Sequence, residues 1–230
     1  VDSRKELILK ALVEEYIRTA EPVGSRVLSL QNELSVSPAT IRNEMAALED
    51  DGFIRQPHTS AGRVPTEKGY SYYIARFLKS SAKKETGREL RRAVSHSGSQ
   101  EETLRSLAKA LVHLSGDMAI AAFGADRAYY TGLSQLASKP DFQRLELLQS
   151  LTSLLDRFDE ITGTVMRTVA QEPQVMIGRH NPFGDETAAV VVKCRLANGQ
   201  MILLGLVGPM RMDYRKNLGL MEQVVDILNE

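Results

Sequence analysis

The sequence predicts an α+β protein with an N-terminal winged helix-turn-helix and a mixed α/β domain behind it. Three observations predict it. Residues 1–79 read as helix, helix, turn, helix, then a short strand–loop–strand. The second half alternates amphipathic helices with short apolar strands. Asn198-Gly199 sits between two apolar runs, 188–196 and 201–207, and that dipeptide is favoured in tight β-hairpins. Helices in one stretch and mixed elements in the next fit α+β.

The elements follow in order. Leu7, Ile8, Ala11, Leu12 and Tyr16 recur at helical spacing and predict a helix over 3–19, which the segment 20–24 breaks with Pro22. Ser25 reads as the cap of a second helix over 26–33. Ser37-Pro38 is a helix start: a side-chain oxygen that can accept an orphan N–H, then a residue whose missing N–H costs nothing in the first turn. The third helix runs over 38–50 and stops before Gly52. A short strand over 53–56, a loop over 57–63 and an exit at Val64 lead to a helix over 66–78. That order is the winged helix-turn-helix. Over 79–100 a charged helix with Lys83, Lys84, Arg88, Arg91 and Arg92 precedes a small polar linker. The charges suit a solvated face or phosphate contact. Helices are then expected over 102–115, 142–159, through Val165 and Val169, and over 214–228. Strands are expected over 118–123, 128–133, 174–177, 188–196 and 201–207.

The 230 residues carry 29 basic and 29 acidic side chains, so bulk charge points to no partner and any nucleic-acid surface must be local. One cysteine, Cys194 in an apolar run, excludes an internal disulfide and any multi-cysteine metal site, and reads as a small buried hydrophobe. The start is charged from the second residue and offers no signal-peptide core, and the apolar run at 201–207 is too short to span a bilayer. A cytoplasmic protein is expected. His58, His96, His113 and His180 are scattered without metal-like spacing, and no nucleophile elbow, phosphate loop or dinucleotide fingerprint is present, so neither an enzyme nor a cofactor is expected.

The third helix carries the functional signal. Ile41, Met45 and Leu48 share one face and must pack inward. The opposite face is centred on Ala39 and Asn43, flanked by Thr40, Arg42, Ala46 and Ala47. Alanines permit close approach to a major groove, Asn can bond bidentately to adenine, Thr or Ala can touch a thymine methyl, and Arg42 can reach guanine or phosphate. Ser37 at the helix start suits a phosphate. Between Gly52 and Thr66 there is no acidic residue, while Arg55, His58 and Arg63 are present with Thr59 and Ser60 as neutral donors. A short basic loop after a recognition helix suits the DNA backbone and minor groove.

Residues 22–26 (Pro-Val-Gly-Ser-Arg), 38–46 (Pro-Ala-Thr-Ile-Arg-Asn-Glu-Met-Ala), 57–66 (Pro-His-Thr-Ser-Ala-Gly-Arg-Val-Pro-Thr) and 67–70 (Glu-Lys-Gly-Tyr) closely resemble the heat-inducible transcription repressor family HrcA. So do Ile177-Gly178 with Asn181 and the run 208–214. The stretch from Gly132 to Phe142 is a weaker match. The resemblance implies a repressor of chaperone operons that binds an inverted-repeat operator as a homodimer, with the chaperonin as a candidate partner. It also implies a winged helix over 1–79, a linker over 80–100 and a GAF-like dimerisation and regulatory domain over 101–230. The chain is shorter than typical members, with the missing material expected between Leu133 and Gln174, where the family inserts a dimerising domain. His180 stands where an acidic residue is expected before Asn181.

Two clusters have more than one reading. Tyr70, Tyr72, Tyr73, Ile74 and Phe77 suit packing of the fourth helix, a ligand pocket or a dimer seam. The turn at Arg211–Tyr214 suits a structural junction with Asp213 as helix cap, or an effector site. The alternative function is a winged-helix regulator whose GAF-like domain senses a small molecule.

Overall fold

The structure, a computed structural model, describes residues 2–31, 34, 36–78, 84–95, 99–124, 127–143, 145–196 and 198–229. The expectations placed on Glu33, Lys83, His96 and the 79–80 boundary lie outside those residues. The chain divides into two compact units, Val1–Leu78 and Lys79–Glu230.

In the first unit, helix α1 spans Ser3–Thr19, where Asp2 caps the free N–H groups of Arg4 and Lys5 at 3.0 and 2.9 Å. Its buried stripe is Ile8, Leu9, Ala11, Leu12 and Val13. The expected stripe was rotated by a fraction of a turn: Leu7 is 42% exposed and Tyr16 only half-buried. Helix α2 spans Ser25–Ser29, shorter than predicted, because Leu30 and Gln31 already bond back to Val27 and Leu28 in a tightening last turn. Its cap is Gly24, and Ser25 is a buried first-turn residue, not the cap.

Helix α3 spans Pro38–Asp50, opened by Ser37 accepting from the Thr40 N–H at 3.1 Å. Strands β1 (Ile54–Arg55) and β2 (Val64–Pro65) form an antiparallel hairpin, and α4 spans Glu67–Phe77 behind a Thr66 cap. Helix α1 packs on α3 and α4. Tyr70 and Tyr73 are buried, and the Tyr72 hydroxyl donates to Glu6 of α1 at 2.5 Å, so the tyrosines build this unit's interior. That hydrogen bond, ahead of the Arg76 charge, holds the Glu6 carboxyl below the usual carboxylate range and pushes the Tyr72 phenol up.

The second unit opens with α5 (Lys84–Ser95) and α6 (Gln100–Ser115), then β3 (Met118–Phe123) and β4 (Arg127–Thr131). Next come α7 (Leu133–Ala137), a 3₁₀ turn at Pro140–Phe142, α8 (Leu145–Asp156) and α9 (Phe158–Thr168). Strands β5 (Gln174–Ile177), β6 (Thr187–Arg195) and β7 (Met201–Pro209) and helix α10 (Tyr214–Asn229) complete it. The five strands form one antiparallel sheet in the order β4-β3-β7-β6-β5.

One sheet face, with Met118, Ile120, Ala189, Val191, Leu203 and Val207, packs on Leu136, Phe142, Leu151, Phe158 and Val165 from the 133–168 segment. Helices α6 and α10 pack on the sheet, and α5 packs on both of them. Two expectations differ here. The strand over 128–133 ends at Thr131, because Gly132 takes φ +87° and turns the chain into α7. The single helix over 142–159 is a 3₁₀ turn and two helices broken at Arg157, whose φ of −111° is not helical.

Asp213 accepts from the Lys216 N–H at 3.1 Å, and Arg211 grips Asp141 with two bonds of 2.9 and 2.6 Å, so this turn is a structural junction. Cys194 lies buried in β6, and burial pushes its thiol up to about 11, away from the reactive thiolate. Among the described residues no helix is long and apolar enough to cross a membrane.

Candidate nucleic-acid interface

Helix α3 is two-faced in the way its sequence requires. Ile41, Met45 and Leu48 are at most 5% exposed. On the other side Ala39, Arg42, Asn43 and Ala46 are exposed and Thr40 is half-buried. The structure therefore brings four of the sequence-predicted residues, Ala39, Thr40, Arg42 and Asn43, onto one accessible face. Ser37 stands at the helix start, where its hydroxyl caps Thr40.

The remaining predicted residues lie on the β1–β2 hairpin. Arg55, His58, Thr59 and Ser60 are exposed. Arg63 is not free: its Nε donates to Glu49 at 2.8 Å, and its backbone exchanges two 2.9 Å bonds with Val23. The other Glu49 oxygen accepts the Gln56 N–H at 2.9 Å. The Gln56 side-chain amide then bridges the loop, donating to the Thr59 and Ala61 carbonyls at 3.0 and 2.9 Å. A carboxylate at the end of α3 thus holds the loop that follows it. Gly62 is needed for this approach, since a Cβ there would stand 2.5 Å from the Val23 carbonyl carbon and oxygen.

Between α2, α3 and this loop lies a cleft of about 460 Å³, lined by Ser25, Arg26, Arg42, Ser60 and Arg63 among others, and among the described residues no carboxylate stands in its wall. Sequence reasoning missed Arg26, Glu49 and Gln56. For Glu49 a signal existed: it lies two helical turns beyond Arg42, on the same side of α3, facing a segment without acids. Arg26 gave none, because the cleft it lines joins segments distant in sequence, and Gln56 gave none, because its bonds to Glu49, Thr59 and Ala61 depend on how the loop folds back and not on any periodicity. Among the described residues no three histidine, cysteine or acidic side chains gather closely enough to hold a metal.

Residues 63–218 match the family model described as the HrcA protein C-terminal domain. The chain belongs to the HrcA family. A protein of Bifidobacterium longum (strain NCC 2705) named heat-inducible transcription repressor HrcA is 40% identical over 178 residues, covering 75% of this chain and 45% of that protein. A protein of the same name from Bifidobacterium adolescentis is 48% identical over 121 residues, 52% of this chain and 32% of that protein. This HrcA-family chain thus spans less than half the length of these relatives. The HrcA of Halalkalibacterium halodurans is 26% identical over 325 aligned positions, covering 96% and 94% of the two proteins. That alignment is longer than the 230 residues available, so the relative carries segments with no counterpart here. A crystal structure of a hypothetical protein at 2.2 Å resolution superposes with a TM-score of 0.78 at 19% identity, covering 99% of this chain and 97% of that one, and shares its fold.

Proposed function

We propose that this HrcA-family chain is a transcription repressor of heat-shock chaperone operons that binds an inverted-repeat operator as a homodimer. In this reading Val1–Leu78 works as a winged helix-turn-helix, with α3 as recognition helix and the 57–63 loop as wing. The second unit, GAF-like in the family's architecture, dimerises and regulates it, and the chaperonin is a candidate partner. The observation that carries the reading is the exposed Ala39–Thr40–Arg42–Asn43 face beside a loop segment without acidic residues. Small side chains let α3 approach base edges, Asn43 offers the donor and acceptor that distinguish them, and Arg42 reaches a guanine edge or a phosphate. In this reading Ser37, Arg55, His58, Thr59 and Ser60 meet the backbone or minor groove, while Arg63, also expected there from the sequence, is held by Glu49. A palindromic operator requires a two-fold protein.

The deciding experiment is titration of the full chain with an inverted-repeat operator duplex and a scrambled duplex at two salt concentrations. The expected preference is about a thousandfold or more, with a steep salt dependence. Equal, weak binding to both duplexes overturns the reading. Within the operator, Asn43→Ala is expected to cost about 1–3 kcal/mol and to relax the requirement at one base pair. An equal loss against every single-base operator variant removes Asn43 from the base readers.

A further inference from the structure

We propose that Glu49 holds Arg63 as a charge-neutral strut, and that the cationic charge meeting a DNA phosphodiester in the α2–α3–loop cleft is supplied by Arg26 and Arg42; the proposal rests on the DNA-binding reading above. Arg63 is held both at its guanidinium Nε and at its backbone. Its guanidinium is paired with Glu49 at 2.8 Å and its backbone is pinned to Val23 by two hydrogen bonds. Pulling Arg63 toward a phosphate would break that pair and leave the carboxylate that also anchors the Gln56 N–H without its countercharge.

Arg26 and Arg42 differ from it in each respect. Both are exposed, both line the cleft, and among the described residues neither side chain makes an ion pair or hydrogen bond. Ser25 and Ser60 supply neutral hydroxyls in the same wall. Phosphate binding releases condensed counterions only where a free cation replaces them, each contact steepening the plot of log affinity against log salt by about 0.9. A guanidinium already neutralised by its own carboxylate adds nothing to that slope. Glu49 therefore fixes the loop against α3 while limiting sequence-independent attraction, which favours discrimination over bulk affinity.

The test is a fluorescence-anisotropy titration of the full chain with a fluorescein-labelled mixed-sequence duplex between about 50 and 200 mM salt. R26Q and R42Q are each expected to flatten the slope by about 0.9. The double variant E49Q/R63Q should leave it unchanged, because it removes one positive and one negative charge together while the amide oxygen that replaces the carboxylate can still accept the Gln56 N–H. E49Q alone frees Arg63 and should steepen the slope by about 0.9 while tightening binding. If E49Q melts early in circular dichroism, the charge-balanced double variant still decides the matter. A double variant that flattens the slope as much as R42Q makes Arg63 a phosphate ligand and overturns the proposal, as does an R26Q slope equal to that of the parent. A parent chain with no salt-dependent binding, seen before any substitution, overturns the DNA-binding reading itself.

Discussion

Replacing Lys139 with methionine is expected to destabilise the second unit by about 3 kcal/mol, the low end of what breaking a buried charge pair costs. Asp117 sits at the start of β3 with only 2% of its side chain exposed. One carboxylate oxygen is paired with the Lys139 ammonium, and the other accepts from the amide of buried Asn217 on α10 at 2.8 Å. Removing the lysine leaves a buried carboxylate with one neutral hydrogen bond, and desolvation is then unopposed. The cost stays at the low end because Lys139 is itself 23% exposed and already partly hydrated.

The site cannot relax easily. Asp117 lies against Gly208, where even a Cβ would stand 2.4 Å from its oxygen. Close by, burial first and the Asp117 charge second push the Tyr214 phenol well above its ordinary value. The double variant Asp117→Asn/Lys139→Met should recover most of the loss, since an amide needs no countercharge. Chemical denaturation of the parent, the two single variants and the double variant gives the coupling energy. A Lys139→Met variant as stable as the parent would show that the pair is spectator chemistry.

The distinction between local and distant determinants explains what the sequence made legible. Helix α3 was readable because everything that starts it lies within four residues: the Ser37 oxygen, the Pro38 ring and the first N–H groups they serve. Its exposed and buried residues followed from period alone, so the Ala39–Asn43 face was legible too. The hairpin between β6 and β7 was readable from Asn198-Gly199, where Gly199 takes φ +85°.

The rest depended on contacts between residues far apart in sequence. Glu49 and Arg63 are separated by 14 positions, Asp117 and Lys139 by 22, and Asp117 and Asn217 by 100. No window of helical or strand periodicity spans those distances. The break at Arg157 was hidden for a related reason: Leu151 and Leu155 continue the apolar spacing right up to it, and only the non-helical φ of one residue redirects the chain.

The second large effect expected is at Gly69, where propensity and packing oppose each other. Gly69 lies in the first turn of α4 with an ordinary negative φ, so helix propensity alone favours Gly69→Ala by about 1 kcal/mol. A Cβ at this position, however, would stand 2.1 Å from the Phe53 carbonyl oxygen. That oxygen already accepts the Thr66 N–H at 3.0 Å and the Thr66 hydroxyl at 3.1 Å. Relief requires moving backbone away from backbone, which strains or breaks the cap that starts α4.

Overpacking costs about 1–3 kcal/mol and a lost cap about 1 kcal/mol more, so the collision outweighs the propensity gain and a net loss of about 2 kcal/mol is expected. Gly87 in α5 provides the internal control. A Cβ there meets nothing nearer than the Gln223 side-chain oxygen at 3.7 Å, so Gly87→Ala should be neutral or stabilising by up to about 1 kcal/mol. Native-state hydrogen exchange, which reports the two units separately, reads both variants in one experiment. A stabilising Gly69→Ala would mean that Phe53 and α4 can part without penalty, and the β1–β2 hairpin that follows Phe53 would then lack the rigid base on which its proposed contact with DNA depends.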